Sequence, residues 1–161
     1  MNMTAPSDSN KIVVGYTTQE HLLVDLDGCS WVKVQALASM ICKAWPILGD
    51  VLIVESSPAH YHLIFDNRVT WDTIVRVIET LYDLGVVEEN YRQVRNFRRD
   101  LTLRVSDKIG TMRYHEVPNP KLILQTRHDY KQAVGIRRYL DMLNAFNPIS
   151  YYSIPKEVIP W

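Results

Sequence analysis

Two apolar runs, Asp50–Glu55 and His60–Phe65, are separated only by Ser56-Ser57-Pro58-Ala59. Runs this rich in branched and aromatic residues, parted by a Ser/Pro turn, predict two strands. So short a connection lets them pair in one sense only, antiparallel. Any fold for this chain has to accommodate that pair.

Helical patterns flank it. Ser30 can cap a helix whose inward face would be Val34, Leu37, Ile41 and Trp45, ended by Pro46 and Gly49. Thr70 opens a second, with Ile74, Ile78 and Leu81 on one face and Gly85 at the C-terminal stop. Upstream, Lys11–Tyr16 and Glu20–Asp27 read as a hairpin or two adjacent strands around Thr17-Thr18-Gln19. Downstream come a charged segment, Glu88–Asp100, and two strands, Leu101–Ser106 and Lys121–Leu124. His128–Phe146 reads as an amphipathic helix with Tyr130, Val134, Leu140 and Leu143 toward the core. This order predicts an α+β fold with helices packed on a mainly antiparallel sheet. One domain is expected over residues 11–146, between a disordered tail at 1–10 and an irregular, aromatic and Pro-rich arm at 147–161.

The chain of 161 residues is long enough to bury a sizeable core, and its 47% apolar and 22% charged residues are ordinary for a globular protein. Lys plus Arg and Asp plus Glu number 18 each, so attraction for polyanions must come from local clustering. Cys29 and Cys42 are too few for a disulfide framework and read as buried thiols of a reducing cytoplasm. No apolar run approaches the ~18 residues of a membrane span, so no membrane association is expected.

Leu22-Leu23-Val24-Asp25-Leu26-Asp27 carries two carboxylates on alternate residues, which a strand projects side by side. Their repulsion is relieved by a cation, and hard oxygen donors suit Mg²⁺ or Mn²⁺ with substrate phosphates completing the coordination. Gly28 would let a ligand approach the backbone. The same pair would also suit a strand end with two solvated acids. His60 and His62 alternate likewise, after a turn whose amides and hydroxyls can receive phosphate oxygens. Arg92, Arg95, Arg98 and Arg99 surround Phe97, with Arg104 beyond. Guanidinium groups grip phosphates and aromatic faces stack unpaired bases. Glu88 and Glu89 could instead balance this segment as a solvated stretch.

These residues resemble the archaeo-eukaryotic primase superfamily, especially its small plasmid and viral primase-polymerases. Asp25 and Asp27 match its Asp-x-Asp strand, Ser57 and His62 its Ser-turn-His strand, and Leu103-Arg104 with Lys108 its later Leu-Arg strand. The likeness spans roughly residues 20–110 and rests on the order and spacing of the motifs. Ala59 or His60 stands where a glycine is common. The resemblance implies an RNA-recognition-like (RRM-like) sheet core and metal-dependent nucleotidyl transfer on a single-stranded DNA or RNA template. Asp25 and Asp27 would hold Mg²⁺ or Mn²⁺, with Asp100 the nearest third carboxylate and Glu88 or Glu89 alternatives. Ser57, His62, Arg104 and Lys108 would bind the NTP or dNTP. Arg92, Arg95, Phe97, Arg98 and Arg99 would track the template. A replication helicase or other replisome protein would be a further partner.

Two other patterns fit in part. Val24-Asp25-Leu26-Asp27-Gly28 resembles the opening motif of haloacid dehalogenase-like phosphatases, but Cys29 follows where that motif has Thr or Val. His60-Tyr61-His62 resembles the His-x-His element of rolling-circle nicking endonucleases, with Tyr130 or Tyr139 as the nucleophile. That alternative assigns no work to Asp25, Asp27, Arg104 or Lys108. A non-catalytic nucleic-acid-binding module is the third function class compatible with the sequence.

Overall fold

The computed structural model describes residues 15–89, 91–93, 100–104, 119–124, 134–144 and 156–158. Its centre is the expected hairpin, β3 (Val51–Ser57) and β4 (His60–Phe65). β3 runs further than its apolar stretch suggested, because a bulge between Glu55 and Ser57 absorbs one residue and brings Ser57 opposite His60. Only Pro58 and Ala59 remain as the turn, and Ala59 takes a positive φ of 63°. The Ala59 carbonyl accepts the Cys29 N–H at 3.1 Å, tying this turn to the chain beyond β2 (Leu23–Asp27).

β4 lies between β2 and β3, antiparallel to both. Packed on both faces, it is buried along nearly its whole length, which accounts for the unbroken Leu63-Ile64-Phe65 run. β6 (Asn119–Leu124) extends the sheet antiparallel to β3, and β7 (Lys156–Val158) joins β6 in parallel, giving the order β2-β4-β3-β6-β7. The C-terminal arm expected to be irregular thus contributes a strand. The α+β class with a mainly antiparallel sheet is as expected.

The N-terminal strands depart from expectation. β1 (Gly15–Thr18) does not pair with β2; it forms a separate antiparallel pair with β5 (Leu101–Arg104), which lies against β2. The Thr18 hydroxyl accepts the Glu20 N–H at 3.1 Å, bending the chain out of hairpin geometry. Buried Tyr16 faces buried Leu103 across the pair, and the Thr17 and Thr102 hydroxyls meet at 2.7 Å.

The helices begin where their caps predict. Ser30 caps α1 (Trp31–Ala44) by accepting the Lys33 N–H, and Thr70 caps α2 (Trp71–Asp83) by accepting that of Thr73. α1 buries Val34, Ala38, Ile41 and Cys42, a face turned slightly from the expected one. Leu37 is half-buried, and Trp45 lies past the helix end, where a 3₁₀ turn at Pro46–Leu48 follows. α2 buries Ile74, Val77, Ile78 and Leu81, and Gly85 follows its end with φ 72°.

The helix expected over His128–Phe146 is described as α3 (Val134–Asn144), and Tyr130 lies outside the described residues. α3 buries Ile136, Tyr139, Leu140 and Leu143. Its Ile136 N–H donates to Asp66 Oδ1 at 3.3 Å. Trp31 of α1 meets Tyr61 while Tyr139 of α3 meets His62, so helices cover opposite faces of β4. The expected tail at 1–10 lies outside the described residues. Both cysteines are buried and neither forms a disulfide, and no described helix is long and apolar enough to cross a membrane.

His21 is fully buried just before β2, and neither ring nitrogen has a hydrogen-bond partner among the described residues. Gly135 of α3 packs on it so closely that a Cβ there would sit 2.6 Å from Nδ1. Burial pushes its pKa below 6.5, the Phe65 carbonyl opposes the shift, and Arg138 adds to it. The unfolded chain therefore binds this proton more readily, and the native state loses stability as pH falls through about 6.5. His21→Phe should flatten that loss. Urea unfolding at pH 7.5 and pH 5 should show a smaller difference than in the wild type. An equal difference would assign the acid sensitivity to other groups.

Ala59→Gly should stabilise the fold, because a left-handed backbone costs an L-residue about 1–2 kcal/mol and glycine returns part of that as chain entropy. A gain of about 0.5–1 kcal/mol in urea unfolding is expected. A loss would show that the Ala59 methyl contributes packing.

Candidate functional site

The alternation read from the sequence is realised in β2. Val24 and Leu26 are buried, while the side chains of Asp25 and Asp27 are 46% and 65% exposed on the other face. The β2–β4 register sets Asp25 opposite His62 and Asp27 opposite His60. Residues opposed in an antiparallel pair share a face, so two carboxylates and two imidazoles stand together. His60 Nδ1 lies 2.5 Å from Asp27 Oδ1, a contact open to water. His62 is buried: its Nδ1 meets the Tyr139 hydroxyl at 3.1 Å, and its Nε2 faces Asp25 Oδ1 at 3.7 Å, ion-pair rather than hydrogen-bond range.

Asp25 and Asp27 line a cleft of about 340 Å³ together with Cys29, Lys33 and Leu37, and with the stretch after α2 that includes Val86, Glu88 and Tyr91. The Tyr91 hydroxyl donates to the Leu23 carbonyl, fixing this stretch against β2. Burial, and then the nearby Asp25 carboxylate, push the ionisation of Tyr91 well above its usual range. On the other side of β4, the Tyr61 hydroxyl donates to Glu55 at 2.9 Å. Its pKa is pushed up to about 12 by burial and then by that bond. Gly28 has φ 67° and open space where a Cβ would be, so it serves backbone conformation rather than close approach.

The other residues singled out in the sequence are distributed more widely. Glu88 lines the cleft, whereas Asp100 is half-buried just before β5 and is not among the lining residues. Ser57 is placed by its backbone opposite His60, and Arg104 opposite Gly15 in the small sheet. Arg95, Phe97, Arg98, Arg99 and Lys108 lie outside the described residues. Arg92 has intramolecular partners: Nε is 3.2 Å from both Glu79 oxygens, Nη1 is 3.1 Å from Glu89, and the guanidinium lies over the Tyr82 ring.

Lys33 and Tyr91 were missed as cleft residues. Lys33 falls on the third helical position after the Ser30 cap, where helical spacing alone does not show that it turns back toward β2, and Tyr91 lies beyond α2, far from β2 in sequence. Among the described residues, no three His, Cys, Asp or Glu side chains converge to hold a metal ion. Two carboxylates suffice for a hard cation whose remaining ligands are phosphate oxygens and water. The donor set therefore fits Mg²⁺ or Mn²⁺ in the presence of a phosphorylated substrate.

Comparison with protein-family models, with curated proteins and with solved structures found no match to this chain.

Arg92→Ala should lower stability by about 1 kcal/mol in urea unfolding, as expected for a part-buried guanidinium paired with both Glu79 and Glu89 and lying over an aromatic ring. If Arg92 serves these contacts alone, a salt titration with single-stranded DNA should not distinguish the variant from the wild type. Unchanged stability with weaker binding would return Arg92 to the template contacts.

Proposed function

We propose that the cleft is the active site of a metal-dependent nucleotidyltransferase of the primase–polymerase type, acting on a single-stranded template. The observation that carries this reading is the pair of exposed carboxylates, Asp25 and Asp27, side by side in a cleft and in register with His62 and His60. The order β2-α1-β3-β4-α2-β5, with β2 beside β4 and β5 against β2, supports the RRM-like core that the sequence resemblance implies.

In the proposed reaction, a 3′-hydroxyl oxygen attacks the α-phosphorus of an NTP or dNTP. The new phosphodiester forms as the bond to pyrophosphate breaks, and the hydroxyl proton passes to water. Mg²⁺ or Mn²⁺, when bound, supplies activation of the attacking oxygen and neutralisation of the leaving pyrophosphate. Asp25 and Asp27 would hold the ions, with His60 orienting Asp27 through their 2.5 Å contact. Glu88 is the further carboxylate that the cleft offers, in preference to Asp100. Lys33 would meet the triphosphate as a point charge, and Ser57, Arg104 and Lys108 are the further triphosphate contacts that the sequence resemblance implies. Leu37 and Val86 would exclude water from one wall.

The nicking reading gains less from the geometry. Tyr139 is fully buried and its hydroxyl engages His62, which withholds it from a DNA phosphate.

The test is Mg²⁺- and Mn²⁺-dependent incorporation of labelled nucleotides on single-stranded DNA, with and without a primer. Wild type should incorporate and Asp25→Asn should not, while keeping its thermal unfolding midpoint because the side chain is half exposed. Incorporation that persists in Asp25→Asn would sink the proposal. A covalent protein–DNA adduct without incorporation would favour nicking instead.

A further inference from the structure

The sequence motif gives His62 to the nucleotide, yet the structure seats it behind Asp25. Its side chain is only 4% exposed, and Tyr139 of α3 is fully buried beside it, the two rings edge-on at 6.3 Å and 84°. Tyr16 backs Tyr139 from another side, edge-on at 6.0 Å. The bond from Asp66 to the Ile136 N–H holds the first turn of α3 against the end of β4.

We propose that Tyr139 is a positioning residue for Asp25, acting through His62: its hydroxyl donates to Nδ1, keeps the imidazole proton on Nε2, and aims that N–H at the cleft carboxylate. A phenol with one proton to give and an imidazole with one nitrogen to receive it fix both the tautomer and the ring orientation. The 3.7 Å gap to Asp25 is an electrostatic contact with the group that the ion would also contact from the cleft side. Asp27 differs, because its partner His60 is open to water and has no such backing among the described residues. The two carboxylates are thus held unequally, Asp25 from the core and Asp27 from the surface. The proposal rests on the reading of Asp25 as a cation ligand.

Two measurements on the full chain separate this from a merely structural role. Long-range ¹H–¹⁵N correlation should find His62 as the Nε2–H tautomer in the wild type, with that preference lost in Tyr139→Phe. Titration with Mn²⁺, followed by loss of its free electron-spin resonance signal, should show roughly tenfold weaker binding in Tyr139→Phe. Ile136→Val, which loosens the same helix without touching His62, should leave the affinity unchanged. An Nδ1–H tautomer in the wild type overturns the inference whether or not Mn²⁺ binds. So does equal Mn²⁺ affinity in Tyr139→Phe and wild type, or an equal loss in Ile136→Val. Wild type with the expected tautomer but no Mn²⁺ binding sensitive to Asp25→Asn overturns the metal site itself, and this inference with it.

Discussion

The antiparallel pairing of β2 with β4 is the constraint on which the rest depends. Side chains alternate faces along a strand, so a slip of one residue would carry Asp25 and Asp27 to the opposite face and bring Val24 and Leu26 out with the histidines. The observed register is held from both ends. The Phe65 N–H donates to the Leu22 carbonyl at one end, and the Cys29 N–H to the Ala59 carbonyl at the other. Both bonds lie at the limits of the strands, where fraying would otherwise begin. Four polar side chains therefore stand on one face because the apolar residues between them are buried on the other.

Those four are not equivalent. The Asp27–His60 contact is solvated, and competing water keeps its contribution to stability small. The Asp25–His62 contact has its imidazole in the core, where the Tyr139 hydroxyl provides a partner that a buried ring nitrogen needs. The described cleft residues include three carboxylates, Asp25, Asp27 and Glu88, and one ammonium, Lys33. A concave surface with that balance favours cations over anions.

The face of the sheet beneath α3 carries buried rings that can titrate or hydrogen-bond. His21, His62, Tyr16 and Tyr139 are buried there, and Gly135 brings the helix backbone close enough to pack on His21. Burial of the His21 ring makes this region costly to protonate. The same density of rings leaves His62 little room to turn, which is what positioning a neighbouring carboxylate requires.

Local rules determined much of this protein. The β3–β4 hairpin, the Ser30 and Thr70 caps, Gly85 after α2 and the exposed alternation of Asp25 and Asp27 follow from periodicity and turn chemistry, which act over a few residues. Even there the bulge at Glu55–Ser57 went unread, because an extra residue leaves the apolar pattern almost unchanged. What only the tertiary structure decided depends on distance through space. It paired β1 with β5 rather than β2, and drew Lys33, Glu88 and Tyr91 to the edge of β2. It also brought Tyr139 to His62 across 77 residues of sequence. Propensity and amphipathic spacing specify which face of an element is buried; which partner buries it is settled by how the whole set of faces packs together.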